Sequence, residues 1–199
     1  MKKKFEEPEK IKILIKAAEE GNLKSQYELG KYYYKNFSLE IDYLKKGIYW
    51  YTKAAEGNYP EAQYDLGIFH VQGFGFEINY KKSFYWLERA AKLNHLEAQC
   101  ELAFSYEIGR GIEQDSLKAY EWYRKAAKQG YPRGLFRLAL LYADGNGVPQ
   151  DYDKAYLLCK MYAEKTNIKP FSLKEYYKKS SFSKKTTKKI SYKKTAPLS

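Results

Sequence analysis

Few residues of this chain are of the types that carry out catalysis or bind metals. There are two cysteines and two histidines: Cys100, Cys159, His70 and His95. They lack the local spacing that a zinc site needs, so we expect no metal site. Free cysteines usually behave as small hydrophobic residues, so we expect packing or surface thiols rather than nucleophiles. His70 is expected to be a core or groove-edge ring, and His95 a turn residue.

Pairs of glycines separated by one residue suggest phosphate-binding loops at first sight. There are three: Gly73/Gly75, Gly109/Gly111 and Gly145/Gly147. They lack the third glycine and preceding strand of the dinucleotide fingerprint, and the Lys-Ser/Thr of a P-loop. Their recurrence at one position of a repeating unit explains them as turns, because glycine accepts a positive φ. We therefore expect neither catalysis nor a cofactor.

The glycine pairs belong to a longer repeating pattern. Doublets of alanine recur 37, 36 and 36 residues apart, at 17–18, 54–55, 90–91 and 126–127. Two columns of large residues keep the same spacing; they are Leu29, Leu66, Leu102 and Leu138, then Trp50, Trp86, Trp122 and Leu158. A fixed period of this length with small and large apolar columns predicts a helical solenoid.

Each unit is predicted to contain two helices. In the second unit, Ala62, Leu66, Gly67 and His70 fall on one helical face. In the second helix the tryptophan column is expected to fill the space left by the small residues, which places Trp122 between units. Second helices should begin near capping residues, which are Asn79, Asp115 and Asp151. They should end at left-handed residues, which are Gly57, Asn94 and Gly130.

Three strings carry a resemblance to a known family. They are Ala-Gln-Tyr-Asp-Leu-Gly at 62–67, Gly-Arg-Gly-Ile-Glu-Gln-Asp at 109–115 and Ala-Tyr-Glu-Trp-Tyr-Arg-Lys-Ala-Ala at 119–127. They resemble the Sel-one-like repeat, a helix-turn-helix relative of the tetratricopeptide repeat, over roughly residues 17–165. The resemblance implies an all-α, right-handed α-α superhelix of about four repeats, and a role as a protein-interaction scaffold.

The two ends of the array depart from the pattern. Residues 8–20 are predicted to form an isolated second helix that caps the array. The first unit has no glycine pair between Tyr33 and Asp42, so its turn should differ in shape. We predict a flexible N-terminus over 1–8, a solenoid over 9–168 and a mostly disordered tail over 169–199.

The positive charge of the chain is concentrated at its C-terminal end. The formal net charge is +12, and residues 165–199 hold eleven lysines and one acid, Glu175. This segment is poor in aliphatic residues and cannot bury enough apolar surface to offset the entropy of ordering. It is either a solubilising tail or an electrostatic arm for nucleic acid, an anionic membrane or an acidic protein.

The N-terminal segment does not read as an export signal. Three lysines follow Met1, but Glu6, Glu7 and Glu9 come next, and Lys12 interrupts the short apolar run over 11–15. No stretch is long enough to span a bilayer. We expect a cytoplasmic protein, with a secreted, host-directed effector as the alternative.

The first helices of a helical-pair solenoid line its concave face. By analogy with the tetratricopeptide register, groove positions lie two residues before, two residues after and five residues after each leucine of the column. Rim positions lie five residues before each leucine. The predicted partner-binding residues are Lys24, Tyr27, Lys31, Tyr34, Tyr64, Ile68, Phe104, Arg133 and Phe136. Tyrosine is enriched at interfaces, although an aromatic column can equally be packing within the repeat.

The sequence therefore predicts a scaffold that binds a protein or peptide in this groove. Its N-terminal half contains Lys24, Lys31 and Lys35, which favours an acidic partner. The alternative is binding of nucleic acid or an anionic surface through the lysine-rich tail, for which we expect only weak, nonspecific contact with polyanions.

Overall fold

A computed structural model describes residues 7–36, 38 and 42–168, and this part of the chain is all helical. It contains nine α-helices and no strand, as the sequence predicts. The helices are α1 (Glu9–Glu19), α2 (Leu23–Lys35), α3 (Tyr43–Glu56), α4 (Pro60–Gln72), α5 (Tyr80–Lys92), α6 (Leu96–Ile108), α7 (Ser116–Lys128), α8 (Pro132–Asp144) and α9 (Tyr152–Thr166).

The helices are arranged as four helix-turn-helix repeats behind an additional first helix. The repeats are α2 with α3, α4 with α5, α6 with α7 and α8 with α9, and each helix packs chiefly on its neighbours in the chain. Helix α1 packs on α2, in the place that a preceding second helix would occupy. The predicted superhelix is thus confirmed.

The repeat columns form the core between helices. The leucine column of the first helices is buried, from Leu29 at 0% exposed to Leu138 at 6%. Buried alanines from the second helices face it and let neighbouring helices approach closely; among them are Ala54, Ala55, Ala90, Ala91, Ala126 and Ala127. Small residues therefore set the spacing of the helices, as the pattern predicts.

The tryptophan column packs against the core, as predicted, but it is not the fully buried column of the second helices. Trp50, Trp86 and Trp122 are half-buried. The buried position is the next residue along each second helix, where the chain has Tyr51, Leu87, Tyr123 and Cys159. One residue of an α-helix turns the side chain by about 100°, so the indoles lie at the edge of the core, where so large a ring stays partly accessible.

The predicted starts of the second helices are confirmed. The side chains of Asn79, Asp115 and Asp151 accept hydrogen bonds from backbone amides three residues later, at 2.9 to 3.0 Å. Each side-chain oxygen satisfies an amide that has no partner within the helix. The helices α5, α7 and α9 begin directly after these residues.

The predicted ends of the second helices are correct with one exception. Asn94 and Gly130 are left-handed, with φ of 71° in both. In the first repeat the left-handed residue is Asn58, at φ 67°, whereas Gly57 has a φ of −73°. Gly57 lies close against the Leu23 side chain, which would have to move to make room for a Cβ at this position.

The second glycine of each pair allows a close approach as well as a turn. Gly111 has a φ of +79°, and a Cβ on it would overlap the carbonyl oxygen of Tyr80 at the start of α5. Gly147 approaches the carbonyl oxygen of Ser116 at the start of α7 in the same way. The turn of one repeat therefore rests on the helix start of the preceding repeat.

Three sequence predictions fall outside the described residues. They concern the N-terminus up to residue 6, most of the turn that follows Tyr33 in the first repeat, and the tail over 169–199. Within the described part of the chain, no helix combines the length and apolar character needed to cross a membrane.

Candidate partner-binding groove

All nine predicted partner-binding residues lie on the first helices of the repeats, and all keep contact with solvent. Lys24 and Lys31 are exposed, and the other seven are half-buried; these are Tyr27, Tyr34, Tyr64, Ile68, Phe104, Arg133 and Phe136. They lie on α2, α4, α6 and α8, which line the concave face of such a superhelix. Cys100, which shares a column with Tyr27, Tyr64 and Phe136, is buried.

Tyr27 connects the first two repeats across the groove. Its hydroxyl donates a hydrogen bond of 3.1 Å to Asp65 Oδ2 on α4. Its ring packs edge-on against Tyr51, and Lys31 Nζ lies 5.2 Å from the ring centroid. The ring is therefore held by its neighbours and still borders the solvent.

Asp65 is a carboxylate in an unfavourable environment. Burial raises its pKa to about 6, although the hydrogen bond from Tyr27 and the charge of Lys31 lower it in part. Desolvation favours the protonated carboxyl, because a low dielectric penalises the ionised form. The groove thus contains a carboxyl group that titrates close to neutral pH.

Tyr34 is fixed by aromatic contacts between repeats. Its ring stacks on Phe69 of α4 with centroids 4.5 Å apart, and it meets Tyr51 edge-on at 6.0 Å. Such pairs add stabilisation beyond the area they bury. One side of the Tyr34 ring is therefore packed against the neighbouring repeat.

Tyr64 rests on the residue that caps the following repeat. Its ring stacks on the His95 imidazole at 4.8 Å. His95 Nδ1 accepts a hydrogen bond of 3.2 Å from the Ala98 amide, so His95 is the N-cap of α6. Burial lowers the pKa of His95. The neutral ring suits this role, since Nδ1 must carry a lone pair to accept the amide hydrogen.

In the C-terminal half of the groove, two arginines share one carboxylate. Arg133 Nη1 lies 2.6 Å from Glu101 Oε1, and Arg110 Nη2 lies 3.6 Å from Glu101 Oε2. The guanidinium groups of Arg110 and Arg137 each lie 5.1 Å from the centre of the Phe104 ring. Phe104 is therefore flanked by two cations, and Arg133 shares the Glu101 carboxylate with Arg110.

The groove closes at each end with a cleft. At the C-terminal end, a cleft of about 320 Å³ is lined by Tyr131, Pro132, Arg133, Phe136, Tyr162 and Thr166. At the N-terminal end, a cleft of about 530 Å³ lies between α1 and α2, and its lining includes Lys10, Lys31 and Lys35 together with Glu28. Lys31 pairs with Glu28 at 3.4 Å.

The structure thus brings Lys31 and Lys35 together, as expected, but not Lys24, which does not line this cleft. Sequence reasoning missed Lys10, because it belongs to the capping helix and to no groove column. It also missed the acidic column directly before the leucines, which comprises Glu28, Asp65 and Glu101, with Arg137 in the fourth repeat. Its recurrence in three repeats was the available signal.

The cysteines and His70 are packing residues. Cys100 is 0% exposed and Cys159 is 3% exposed. Burial raises the pKa of the Cys100 thiol to about 12 and also raises that of Cys159, which disfavours the reactive thiolate. His70 is buried against Phe76, with ring centroids 4.4 Å apart. Among the described residues, no group of three metal-ligating side chains comes together.

Comparison with known proteins agrees with this geometry. The family model described as the Sel1 repeat matches four consecutive segments, residues 23–59, 60–95, 96–131 and 132–167. Each segment coincides with one helix pair. A search of curated proteins gave no match.

Two solved structures illustrate the likeness. One is c5321, a protective antigen present in uropathogenic Escherichia coli strains that displays an SLR fold; it has 32% identity and a TM-score of 0.74, over 78% of this chain and 33% of its own. The other is a Sel1 repeat protein from Oxalobacter formigenes, with 32% identity and a TM-score of 0.70, over 79% of this chain and 62% of its own. The match thus spans one third and just under two thirds of these proteins.

Proposed function

The chain belongs to the Sel1 repeat family, and on that premise we propose that it is a non-catalytic scaffold that binds a protein or peptide segment in its concave groove. Sel1 repeats generally serve protein-protein interaction. The observation that carries the proposal is that the groove residues are held in place and still accessible. Tyr27, Tyr34 and Tyr64 each make ring contacts, and each borders the solvent.

Rings held in place reduce the entropy lost on binding. A side chain that is already fixed by its neighbours loses little further freedom when a partner docks, which raises the affinity for a given contact area. Tyr27 and Tyr34 are fixed across a repeat boundary by Asp65 and Phe69. The groove therefore offers several preorganised aromatic surfaces in a row, a suitable arrangement for an extended segment.

The charge distribution along the groove indicates the orientation in which the proposed partner binds. Lys10, Lys31 and Lys35 gather in the N-terminal cleft with one carboxylate, Glu28. In the other half of the groove the arginines lie against the Glu101 carboxylate or the Phe104 ring. We propose that an acidic portion of the partner docks at the N-terminal cleft and that a less charged portion follows the aromatic rings. A cytoplasmic location and the tail's contact with polyanions belong to the same proposal.

The test is a selection of binding peptides from a random display library with the full chain, followed by affinity measurements on the peptides obtained. We expect acidic residues to be enriched at one end. The double variant Tyr64→Ala with Lys31→Glu should bind these peptides at least about tenfold more weakly, as for central interface residues. Its helical circular-dichroism signal and melting temperature should stay close to those of the parent.

The matched control is Tyr156→Ala with Lys160→Glu, which removes one exposed tyrosine and reverses one exposed lysine on α9, away from the groove. This variant should bind the selected peptides like the parent. Equal binding by the groove variant and its control would mean that the partner docks elsewhere. Unfolding of the groove variant would assign Tyr64 to packing, and Lys31→Glu with Lys35→Glu would then test the groove alone.

A further inference from the structure

The fourth repeat departs from the others at one interface. Side chains of each second helix meet those of its own first helix and of the preceding second helix along one line, and we call this interface the outer seam. Trp50, Trp86 and Trp122 pack against the core in the first three outer seams. The fourth outer seam, formed by α7, α8 and α9, has Leu158 at this position.

Two further positions of the fourth outer seam hold apolar residues where the earlier repeats have polar or charged ones. In the first three repeats a buried glutamine donates its side-chain NH to a carbonyl of the preceding second helix; the pairs are Gln26 to Ala18, Gln63 to Ala55 and Gln99 to Ala91. The fourth repeat has Leu135 instead. Over the indoles, Arg89 covers Trp86 and Lys125 covers Trp122. Met161 takes that position on α9.

These replacements leave an open cleft. It has a volume of about 340 Å³, within the range of small-ligand sites. It is lined by Tyr120, Arg124, Ala127, Lys128, Leu135, Leu138, Tyr142, Lys154, Leu157, Leu158 and Met161. Leu157 is 58% exposed and Met161 is 46% exposed, so the apolar lining continues to the surface. All three replaced positions contribute to it.

We propose that this cleft is a second binding site, which takes the aromatic side chain of a partner segment that also carries acidic residues. The other repeats show what fits the space, because in each of them an indole packs at the equivalent position. The rim of the cleft carries three cations, Arg124, Lys128 and Lys154. Arg124 and Lys128 are exposed, and Lys154 pairs with Asp151 at 2.9 Å.

The positive charges on the rim of the cleft favour an acidic aromatic segment over a basic one. Like charges placed close together repel, and opposite charges favour the encounter and fix the register. The chain's own segment over 169–199 contains aromatic residues, but it holds ten lysines and one acid. It therefore has the wrong charge for this rim, whereas acidic residues beside the inserted ring would pair with Arg124 and Lys128.

The test uses the full chain and three synthetic peptides, measured by calorimetry and by NMR shifts of the Met161 methyl group. The peptides are acetyl-Glu-Asp-Trp-Glu-Asp-amide, the same peptide with alanine for tryptophan, and a version with lysine for each acid. We expect the first to bind and the alanine peptide not to bind measurably. At low salt the lysine peptide should bind at least about fivefold more weakly, a gap that salt reduces.

Leu158→Trp restores the residue of the earlier repeats and should fill the cleft. We expect this variant to bind the acidic tryptophan peptide at least about tenfold more weakly than the parent, with a melting temperature that is unchanged or higher. The matched control Tyr156→Trp adds an indole on the same helix outside the cleft lining and should bind like the parent. If Leu158→Trp does not fold, Leu157→Glu serves instead. The third repeat has a glutamate, Glu121, at the position equivalent to the exposed Leu157, and an acid beside the cleft should repel the acidic peptide.

Four results would overturn the proposal. The first two are unchanged affinity in Leu158→Trp and equal binding of the alanine peptide. The third is self-association of the parent in sedimentation that Leu158→Trp abolishes, which would identify a second copy as the occupant. The fourth is a tenfold gain of peptide affinity in Phe171→Ser, which would identify the chain's own C-terminal segment. The variant Tyr64→Ala should leave cleft binding unchanged, so this site is tested independently of the groove.

Discussion

The Tyr27 hydroxyl on α2 donates a hydrogen bond to the Asp65 carboxylate on α4, and this bond joins two repeats at the surface where a partner is proposed to bind. Burial raises the pKa of Asp65 to about 6. Its charge is therefore costly to the folded state at neutral pH, and the same group couples stability to pH.

Replacing Asp65 with asparagine should stabilise the chain at pH 7.5. Asparagine keeps an oxygen that can accept from Tyr27 but carries no charge to desolvate. Because the folded pKa lies above the unfolded value, Asp65 binds a proton more readily when folded, and its contribution to stability is lost as pH rises through about 6. Allowing for partial exposure, we expect a gain of roughly 1 to 2 kcal/mol at pH 7.5.

Urea unfolding from pH 4.5 to 7.5 checks this expectation. The difference in the free energy of unfolding between Asp65→Asn and the parent should become smaller as the pH falls. Glu113→Gln, which changes an exposed loop residue, is the control and should differ little from the parent at any pH. A loss of stability at pH 7.5 in Asp65→Asn would show that the ionised carboxylate is favourable in this environment.

The fully buried ring of α7 should matter more to stability than the indole beside it. Tyr123 is 0% exposed, and its hydroxyl donates to Glu107 Oε2 at 2.8 Å. Tyr123→Ala should cost roughly 3 to 5 kcal/mol. Trp122→Ala, at a half-buried position covered by Lys125, should cost about half as much. Chemical denaturation of both variants, with Glu121→Ala as the exposed control, tests this ranking of the two residues. A larger loss of stability in Trp122→Ala than in Tyr123→Ala would show that tryptophan is the principal core residue of α7.

The two glycines of one turn should respond differently to alanine. Both Gly109 and Gly111 have a positive φ, so alanine strains the backbone at either position, by about 1 kcal/mol. At Gly109 the new Cβ would meet nothing closer than 3.4 Å, whereas at Gly111 it would overlap the Tyr80 carbonyl. Gly111→Ala should therefore lower the free energy of unfolding by at least about 2 kcal/mol more than Gly109→Ala does. Equal melting temperatures would show that the turn can move away from α5.

The lysine-rich segment should bind polyanions weakly and with strong salt dependence. If its lysines contact phosphates, the affinity for DNA, RNA or anionic vesicles falls steeply with salt, because binding releases counterions. Fluorescence anisotropy at two salt concentrations compares the parent with a full chain in which the lysines at 178, 179, 184, 185, 188, 189, 193 and 194 are glutamine. Binding should vanish in the variant and be lost in the parent at physiological salt. Tight, sequence-selective binding that needs these lysines would make nucleic acid the principal partner.

The repeat and its local chemistry could be read from the sequence alone. Glycine pairs, capping residues such as Asp115 and the leucine column are determined by backbone geometry and helix periodicity, which act over a few residues. For the same reason the nine predicted groove residues lie on first helices and keep contact with solvent, although Cys100 in one of their columns is buried. The four-repeat solenoid follows because each unit can bury its apolar face only against a neighbour.

Only the tertiary structure decided which of two adjacent large residues is buried. Trp122 and Tyr123 differ by one step of the helix, and the angle at which α7 meets its neighbours decides between them. The pairing of Arg133 with Glu101 and the gathering of Lys10 with Lys31 also join different helices. The cleft beside Leu158 depends on three helices at once, α7, α8 and α9. Such relationships depend on how helices distant in the chain are placed in space, which local sequence rules do not determine.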